Sequence, residues 1–239
     1  MRHLLPGLLT GLLLGAAFSA AAQRPLLSTD VAADTVRQRY GPNRQLFRHL
    51  YVGYAFVLGQ PAQQGAELRP AASAELTLGL RQKHRLAEHL ALGFDARYAR
   101  LQYSLAQNAD KVLPTPELHH RESLVLQRAD LEAWLRLNAG RRGNIVGRYL
   151  DAGAWGGRII GTAHRTEDKP SASTARRLNA VAHGLPYVQP WAFGLAGRVG
   201  ANRYAAVVRY RLSGTFRGER AARYPELPPW QAGLEIGLF

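Results

Sequence analysis

From residue 48 to the end of the chain, apolar and polar residues alternate with a period of two. The clearest stretch sets Ala74, Leu76, Leu78 and Leu80 against Glu75, Thr77, Gly79 and Arg81. An extended backbone turns successive side chains to opposite faces, so this pattern predicts a strand with one apolar face. The last ten residues repeat it, with Trp230, Ala232, Leu234, Ile236 and Leu238 opposite Gln231, Gly233, Glu235 and Gly237. Near residue 90, Leu90, Leu92, Phe94, Ala96 and Tyr98 alternate with Gly93, Asp95 and Arg97. Over 204–213, Ala206, Val208, Tyr210 and Leu212 alternate with Val207, Arg209, Arg211 and Ser213.

Four further segments carry the same rhythm. Residues 49–58 are apolar on both faces, with Val52, Tyr54, Phe56 and Leu58 the larger set. Residues 122–137 place Ala129, Leu131, Ala133, Leu135 and Leu137 against Arg128, Asp130, Glu132, Trp134 and Arg136. Residues 147–161 place Leu150, Ala152 and Ala154 against Asp151, Gly153 and Trp155, and residues 187–199 place Trp191, Phe193, Leu195 and Val199 against Gly194, Ala196 and Arg198. Residues 84–105 and 122–138 also fit amphipathic helices, but the neighbouring segments repeat the period of two and favour strands.

Eight strands leave seven connections, and their lengths alternate. Residues 59–72, 106–120, 164–184 and 218–228 are long; residues 83–88, 139–144 and 200–202 are short. Short turns at one end, long loops at the other and an even strand number are the marks of a transmembrane barrel. The predicted fold is therefore all-β: an eight-stranded antiparallel up-and-down transmembrane β-barrel over residues 48–239.

Residues 1–22 carry a basic start at Arg2, a short apolar run from Leu4 to Ala17 and the small residues Ala20, Ala21 and Ala22. They predict a secretory signal peptide cleaved after Ala22 and an exported chain placed in a bacterial outer membrane. Residues 23–47 are polar and irregular and predict a periplasmic extension. After Ala22 nothing approaches 18 consecutive apolar residues, so a membrane-spanning chain must span as a barrel. Cysteine is absent, and the formal net charge is +14. A charge of that size points to an anionic neighbour. For an exported protein, lipid headgroups and lipopolysaccharide fit better than nucleic acid.

The polar faces hold both charge signs. Glu75, Asp95, Asp130, Glu132, Asp151 and Glu235 stand against Arg81, Arg97, Arg128, Arg136, Arg198, Arg209 and Arg211. Buried charges must be paired, so these residues predict an internal salt-bridge network, with recurrent glycines leaving room for long neighbours. Tyr51, Tyr54, Tyr98, Tyr103, Trp191, Tyr204, Tyr210 and Trp230 are expected in the aromatic belts at the membrane interfaces. Arg165, Lys169, Arg176, Arg177, Arg217, Arg220 and Arg223 are expected in the long loops, as candidate contacts to lipopolysaccharide phosphates.

The signal-peptide features, the eight alternating segments and the terminal Leu238-Phe239 together resemble small outer-membrane β-barrel proteins of the OmpA/OmpX type. The resemblance covers residues 48–239. It implies that Phe239 is the C-terminal aromatic through which the barrel-assembly machinery recognises its client. Phe239 falls in phase with Glu235 and Gly237, so either Leu238 takes the outward role or the last turn is irregular.

No metal or cofactor motif is present, and His119-His120 lacks the spacing of a ligand pair. Ser104, Ser123, His119, His120, Glu117 and Glu122 are the parts from which a lipid-modifying barrel enzyme would be assembled. The leading expectation is a non-enzymatic barrel with a structural or surface-binding role through its long loops. A lipid-modifying barrel enzyme and a soluble lipocalin-like carrier of an apolar ligand are the alternatives, and a conducting pore is a weaker one.

Overall fold

An alternating segment buries one face only if its neighbours present theirs to the same side, and that requirement organises the whole sheet. The computed structural model describes residues 39–61, 63–69, 71–140, 143–169 and 176–239. The signal-peptide segment and residues 23–38 of the extension lie outside the described residues. Among these, nine strands form: β1 (Leu46–Leu58), β2 (Ala74–Arg85), β3 (Leu90–Leu105), β4 (Arg121–Ala139), β5 (Arg148–Asp168), β6 (Leu178–His183), β7 (Trp191–Ala201), β8 (Tyr204–Arg211) and β9 (Trp230–Leu238). One short helix, α1 (Glu219–Arg223), lies between β8 and β9.

All pairings between the nine strands are antiparallel. Eight strands close into a ring in the order β1, β2, β3, β4, β5, β7, β8, β9. Closure is made by β1 with β9, from Leu50 opposite Leu238 to Leu58 opposite Trp230. The ninth strand, β6, stands outside the ring and pairs only with the far end of β5, from Ala163 opposite His183 to Asp168 opposite Leu178. Residues 164–184 are thus not a plain loop. β5 runs on to Asp168, and β6 pairs back on its end through backbone hydrogen bonds. All six residues of β6 are exposed, so no apolar periodicity marks the strand in the sequence.

The ring has two levels with opposite polarity. In the first, the outward residues are large and apolar: Leu50 to Leu58 on β1, Leu76 to Leu80 on β2, Phe94 to Tyr98 on β3 and Leu131 to Leu137 on β4. Leu150 on β5, Trp191 to Val199 on β7, Tyr204 to Val208 on β8 and Trp230 to Leu238 on β9 complete the circuit. The inward residues at this level are the charged set. On β3 and β4 the pattern then inverts. Outward positions become mainly polar, with Arg100, Gln102 and Ser104 on β3 and Gln127, Ser123 and Arg121 on β4, and with Val125 buried among them. Inward positions become Leu101, Tyr103 and Leu105, and Leu126 and Leu124. A β-bulge lies at the same height. The register shifts between Gln127 and Arg128, leaving Ile160 of β5 unpaired and exposed. An extra residue reverses the parity of one strand, so β5 turns Ile159 inward below the bulge and Thr162 and His164 inward above it.

Both ends are closed by the chain itself. At the short-turn end the segment before β1 folds across. Asn43 donates to the Gly143 carbonyl at 2.8 Å, Arg85 donates to the Asn43 carbonyl at 3.0 Å, and Lys83 donates to the Pro42 carbonyl. At the long-loop end all four long connections send apolar residues over the opening. Ala66 and Leu68, Leu113, Val188, and Phe216, Tyr224 and Leu227 pack with Leu101, Tyr103, Leu105, Leu124 and Leu126.

Candidate functional site

The feature with the most chemistry is the charged interior of the first level. Alternation turns Glu75 and Arg81 of β2 inward, with Asp95 and Arg97 of β3 and Arg128, Asp130, Glu132 and Arg136 of β4. Asp151 of β5, Arg198 of β7, Arg209 of β8 and Glu235 of β9 complete the set, and all are buried. Six guanidiniums therefore face six carboxylates, and their charges cancel. Ten of the twelve form a closed circuit of ion pairs. Arg81 pairs with Asp95 and Glu235, both at 2.7 Å. Arg198 pairs with Asp95 at 3.3 Å and with Glu132. Arg97 pairs with Asp130 at 3.0 Å and Glu132 at 3.6 Å. Arg128 pairs with Glu75 at 2.6 Å and Asp130 at 3.4 Å. Arg209 closes the circuit on Glu75 at 3.7 Å and Glu235 at 2.5 Å.

Asp151 joins from the side, held by Arg136 at 2.7 Å and Arg198 at 3.0 Å. Arg198 touches four carboxylates on four strands and is the hub. It reaches Asp95 on β3, which is not a neighbour of β7, so these pairs tie opposite walls of the ring together. Arg211, in the same inward phase, stands apart from the circuit. Its partner is Glu226 of the seventh connection at 2.7 Å, and it also donates to the Leu227 carbonyl at 2.8 Å.

Aromatic plates line the circuit. The Arg136 guanidinium lies 3.6 Å from the Tyr149 ring centroid, Arg81 lies 4.2 Å from Tyr51, and Arg128 lies 4.7 Å from Trp155. Each plate needs a flat seat, and glycine supplies it from the residue directly opposite. A Cβ on Gly93 would fall 2.0 Å from the Trp134 ring, and one on Gly79 would fall 2.5 Å from Tyr51. Trp134 also donates to Asp95 at 2.7 Å. Tyr51 and Tyr103 are buried inside the ring, so these two do not join the exposed aromatic belts expected for them. They follow the inward phase of their strands. Tyr54, Tyr98, Trp191, Tyr204 and Trp230 are exposed on the outer surface, and Tyr210 stacks on Trp230 at 4.6 Å.

Above the circuit, the loop-end core carries its own polar knot. Glu122 is buried and accepts from Lys111 at 2.5 Å, His164 at 2.7 Å and Gln107 at 2.9 Å. The other candidate enzyme parts lie elsewhere. Ser104 and Ser123 are register partners on the outer face, opposite to the Glu122 side chain. His119 pairs with Asp168 at 2.9 Å, the His120 amide donates to Asp168 at 3.2 Å, and the Glu117 carbonyl accepts from Lys111. No serine stands within hydrogen-bond reach of the His164 and Glu122 pair among the described residues. Lys111, His164 and Glu226 were not singled out from the sequence. They are visible only once the loops are seen to fold inward.

The loop cations fall into two groups. Arg177 pairs with Glu167 at 3.1 Å, Arg217 donates to the Pro186 carbonyl at 2.7 Å, and Arg220 lies over the Tyr187 and Tyr224 rings. Lys169, Arg176 and Arg223 are exposed, and Arg165 is exposed on the outer face of β5. At the chain end Leu238 points outward, while Phe239 turns back against His49 at 4.9 Å and Phe47 at 5.2 Å. The outward role at the end of β9 thus falls to Leu238. Compared with known proteins, the chain matches no family model and no curated relative.

Proposed function

We propose that the protein is an integral outer-membrane β-barrel of structural, non-enzymatic character, closed at both ends and exposing its long-loop end to the outside. One observation carries this reading: the outward face is apolar around all eight strands for one level and turns polar on the strands that rise above it. The band is about nine residues high. At roughly 3.3 Å per residue and the ~40° tilt of transmembrane strands it stands about 23 Å tall, close to the ~25 Å apolar band of outer-membrane barrels. A soluble carrier would need the reverse arrangement, with charge outside and an apolar cavity inside. Trp191, Trp230, Tyr210 and Tyr98 near the upper edge suit an interfacial belt. The ion-pair circuit crossing the interior supports a closed barrel rather than a conducting pore. Leu238 and Phe239 are the segment offered to the assembly machinery.

The test is the gel mobility of the detergent-extracted outer-membrane fraction, boiled and unboiled. A heat-dependent shift, in protein that resists a salt wash, is the expected result. Release of the protein by salt, with no shift, would overturn the reading.

A further inference from the structure

The interior arginines are all paired, whereas a second set of arginines has no side-chain partner among the described residues. Arg158 and Arg165 of β5, Arg100 of β3 and Arg121 of β4 all lie on the outer face of the sheet. None makes a side-chain hydrogen bond or ion pair with a described residue. Register places them in an ascending series. Arg158 lies in the row Tyr98, Ala129, Arg158, Trp191, at the top of the apolar band. One step up is the row Arg100, Gln127, Gly161; two steps further is Ser104, Ser123, Arg165; the last is Arg121 beside Glu167. Glu167 is the carboxylate on this face, and Arg177 already neutralises it at 3.1 Å. The upper rows border a concavity of about 380 Å³, lined by Ser104, Arg121, Ser123, Arg165 and Asn179, and also by Glu167 and by Glu122, whose carboxylate is taken up inside by Lys111 and His164.

We infer that this wall, on the β3 to β5 side of the ring, binds the phosphorylated saccharide headgroup of a glycolipid anchored in the outer leaflet. The inference rests on the membrane reading above and names a partner for it. Guanidiniums interleaved with hydroxyls and amides match phosphate oxygens and sugar hydroxyls. Height selects the class of lipid. Four steps of two residues span about 27 Å along the strand, or about 20 Å of height at a ~40° tilt. The headgroup zone of an ordinary phospholipid leaflet is only about 5–8 Å deep. A phospholipid would satisfy Arg158 and Arg100 and leave the upper two arginines bare. A headgroup carrying phosphates at more than one height would reach all four.

The experiment uses the full mature protein in phosphatidylcholine nanodiscs, titrated with fluorescent rough lipopolysaccharide that carries lipid A and core phosphates. The Arg100→Gln, Arg158→Gln, Arg165→Gln triple variant is expected to bind at least tenfold more weakly. Dephosphorylating the probe should weaken wild-type binding by a similar factor. An Arg44→Gln, Arg148→Gln variant, at the exposed short-turn end, should stay within twofold of wild type. Triple-variant binding within twofold of wild type, or wild-type indifference to probe phosphorylation, overturns the inference. Competition by inorganic phosphate as effective as competition by unlabelled lipopolysaccharide overturns the lipid source and leaves a free-phosphate site. Each variant is first checked for the heat-dependent gel shift. If the triple variant lacks it, the phosphorylated and dephosphorylated probes on wild type decide. If the wild type lacks it, the membrane reading fails, and this inference with it.

Discussion

The two levels of the interior are filled by opposite means. The lower level holds ions and aromatic plates; the upper holds leucines, a phenylalanine and tyrosines contributed by the ends of β3 and β4 and by the connections that fold over them. Each follows from what surrounds it. Where the outer face must be apolar, a polar inner face preserves the period of two that defines strand register, because a slip of one residue would turn every arginine to the outside. Ion pairs sharpen that choice, since a buried guanidinium finds its carboxylates in one register only. Above the band the outer faces of β3 and β4 are mainly polar, and the interior buries apolar surface to hold loops in place, as a soluble core does. On this contrast the lower level is expected to unfold as one cooperative unit, and the upper level to loosen while the ring stays closed.

Breaking the hub tests this most severely. Arg198→Leu leaves Asp95, Glu132, Asp151 and Glu235 short of a partner. Removing one member of a buried pair typically costs about 3–5 kcal/mol. The expected outcome is loss of the compact unboiled gel band or a large fall in its unfolding midpoint in urea. A variant as stable as wild type would show that the circuit does not hold the ring. In the upper level, Phe216→Ala removes a ring that packs on Tyr224 at 5.3 Å and Tyr187 at 6.2 Å. Its local cost is about 3 kcal/mol. The loops should become accessible to protease while the unboiled band keeps its mobility; loss of the band would join the two levels into one unit. A smaller effect is expected from Gly93→Ala, whose new methyl meets the Trp134 ring. Overpacking of this kind costs about 1–3 kcal/mol and should appear as a lower unfolding midpoint with a red-shifted tryptophan emission.

Titration should separate the levels most gently, because the upper level holds loop groups with shifted ionisation. Burial pushes the Tyr187 hydroxyl up to about 12. The unfolded phenol ionises near ~10, so the contribution of Tyr187 is whole below that pH and is lost as pH rises through about 12. Protease sensitivity of the loops should rise over that window together with phenolate absorbance. In the first connection, the Gly65 amide donates to Glu67 at 2.9 Å and, with Asn108, holds its carboxyl below the usual range. That contact is present above the ordinary carboxylate value and is lost as pH falls through the lowered one. The protection factor of the Gly65 amide, its exchange rate relative to the unfolded chain at the same pH, should fall in acid. Glu67→Gln should remove the pH dependence with little change in stability.

Much of the ring was legible in the sequence. The outward residues of β2, β3, β4, β8 and β9 are those the alternation sets apart, since a period of two is a local property that the backbone converts directly into two faces. The inversion at Tyr98 to Leu101 and at Leu126 to Arg128 is also written there, in the change of which phase carries the leucines. What the period could not show is β6, whose exposed residues need no alternation because its partner holds it through the backbone. Nor could it separate Tyr51 from the outward aromatics, because a strand apolar on both faces does not say which phase is inside; Tyr103, by contrast, shares the phase of Asp95 and Arg97.

Taken alone, then, the sequence determined that the chain forms strands, roughly where each begins and ends, and which side chains share a face. It took the folded chain to bring β1 to β9, Arg198 across to Asp95 and Arg211 to Glu226, and to fold the long connections inward over one end. The physical reason is distance along the chain. Alternation acts between adjacent residues, whereas ring closure, ion pairing and loop packing join residues tens to more than a hundred positions apart. Their geometry exists only when the whole circuit has closed.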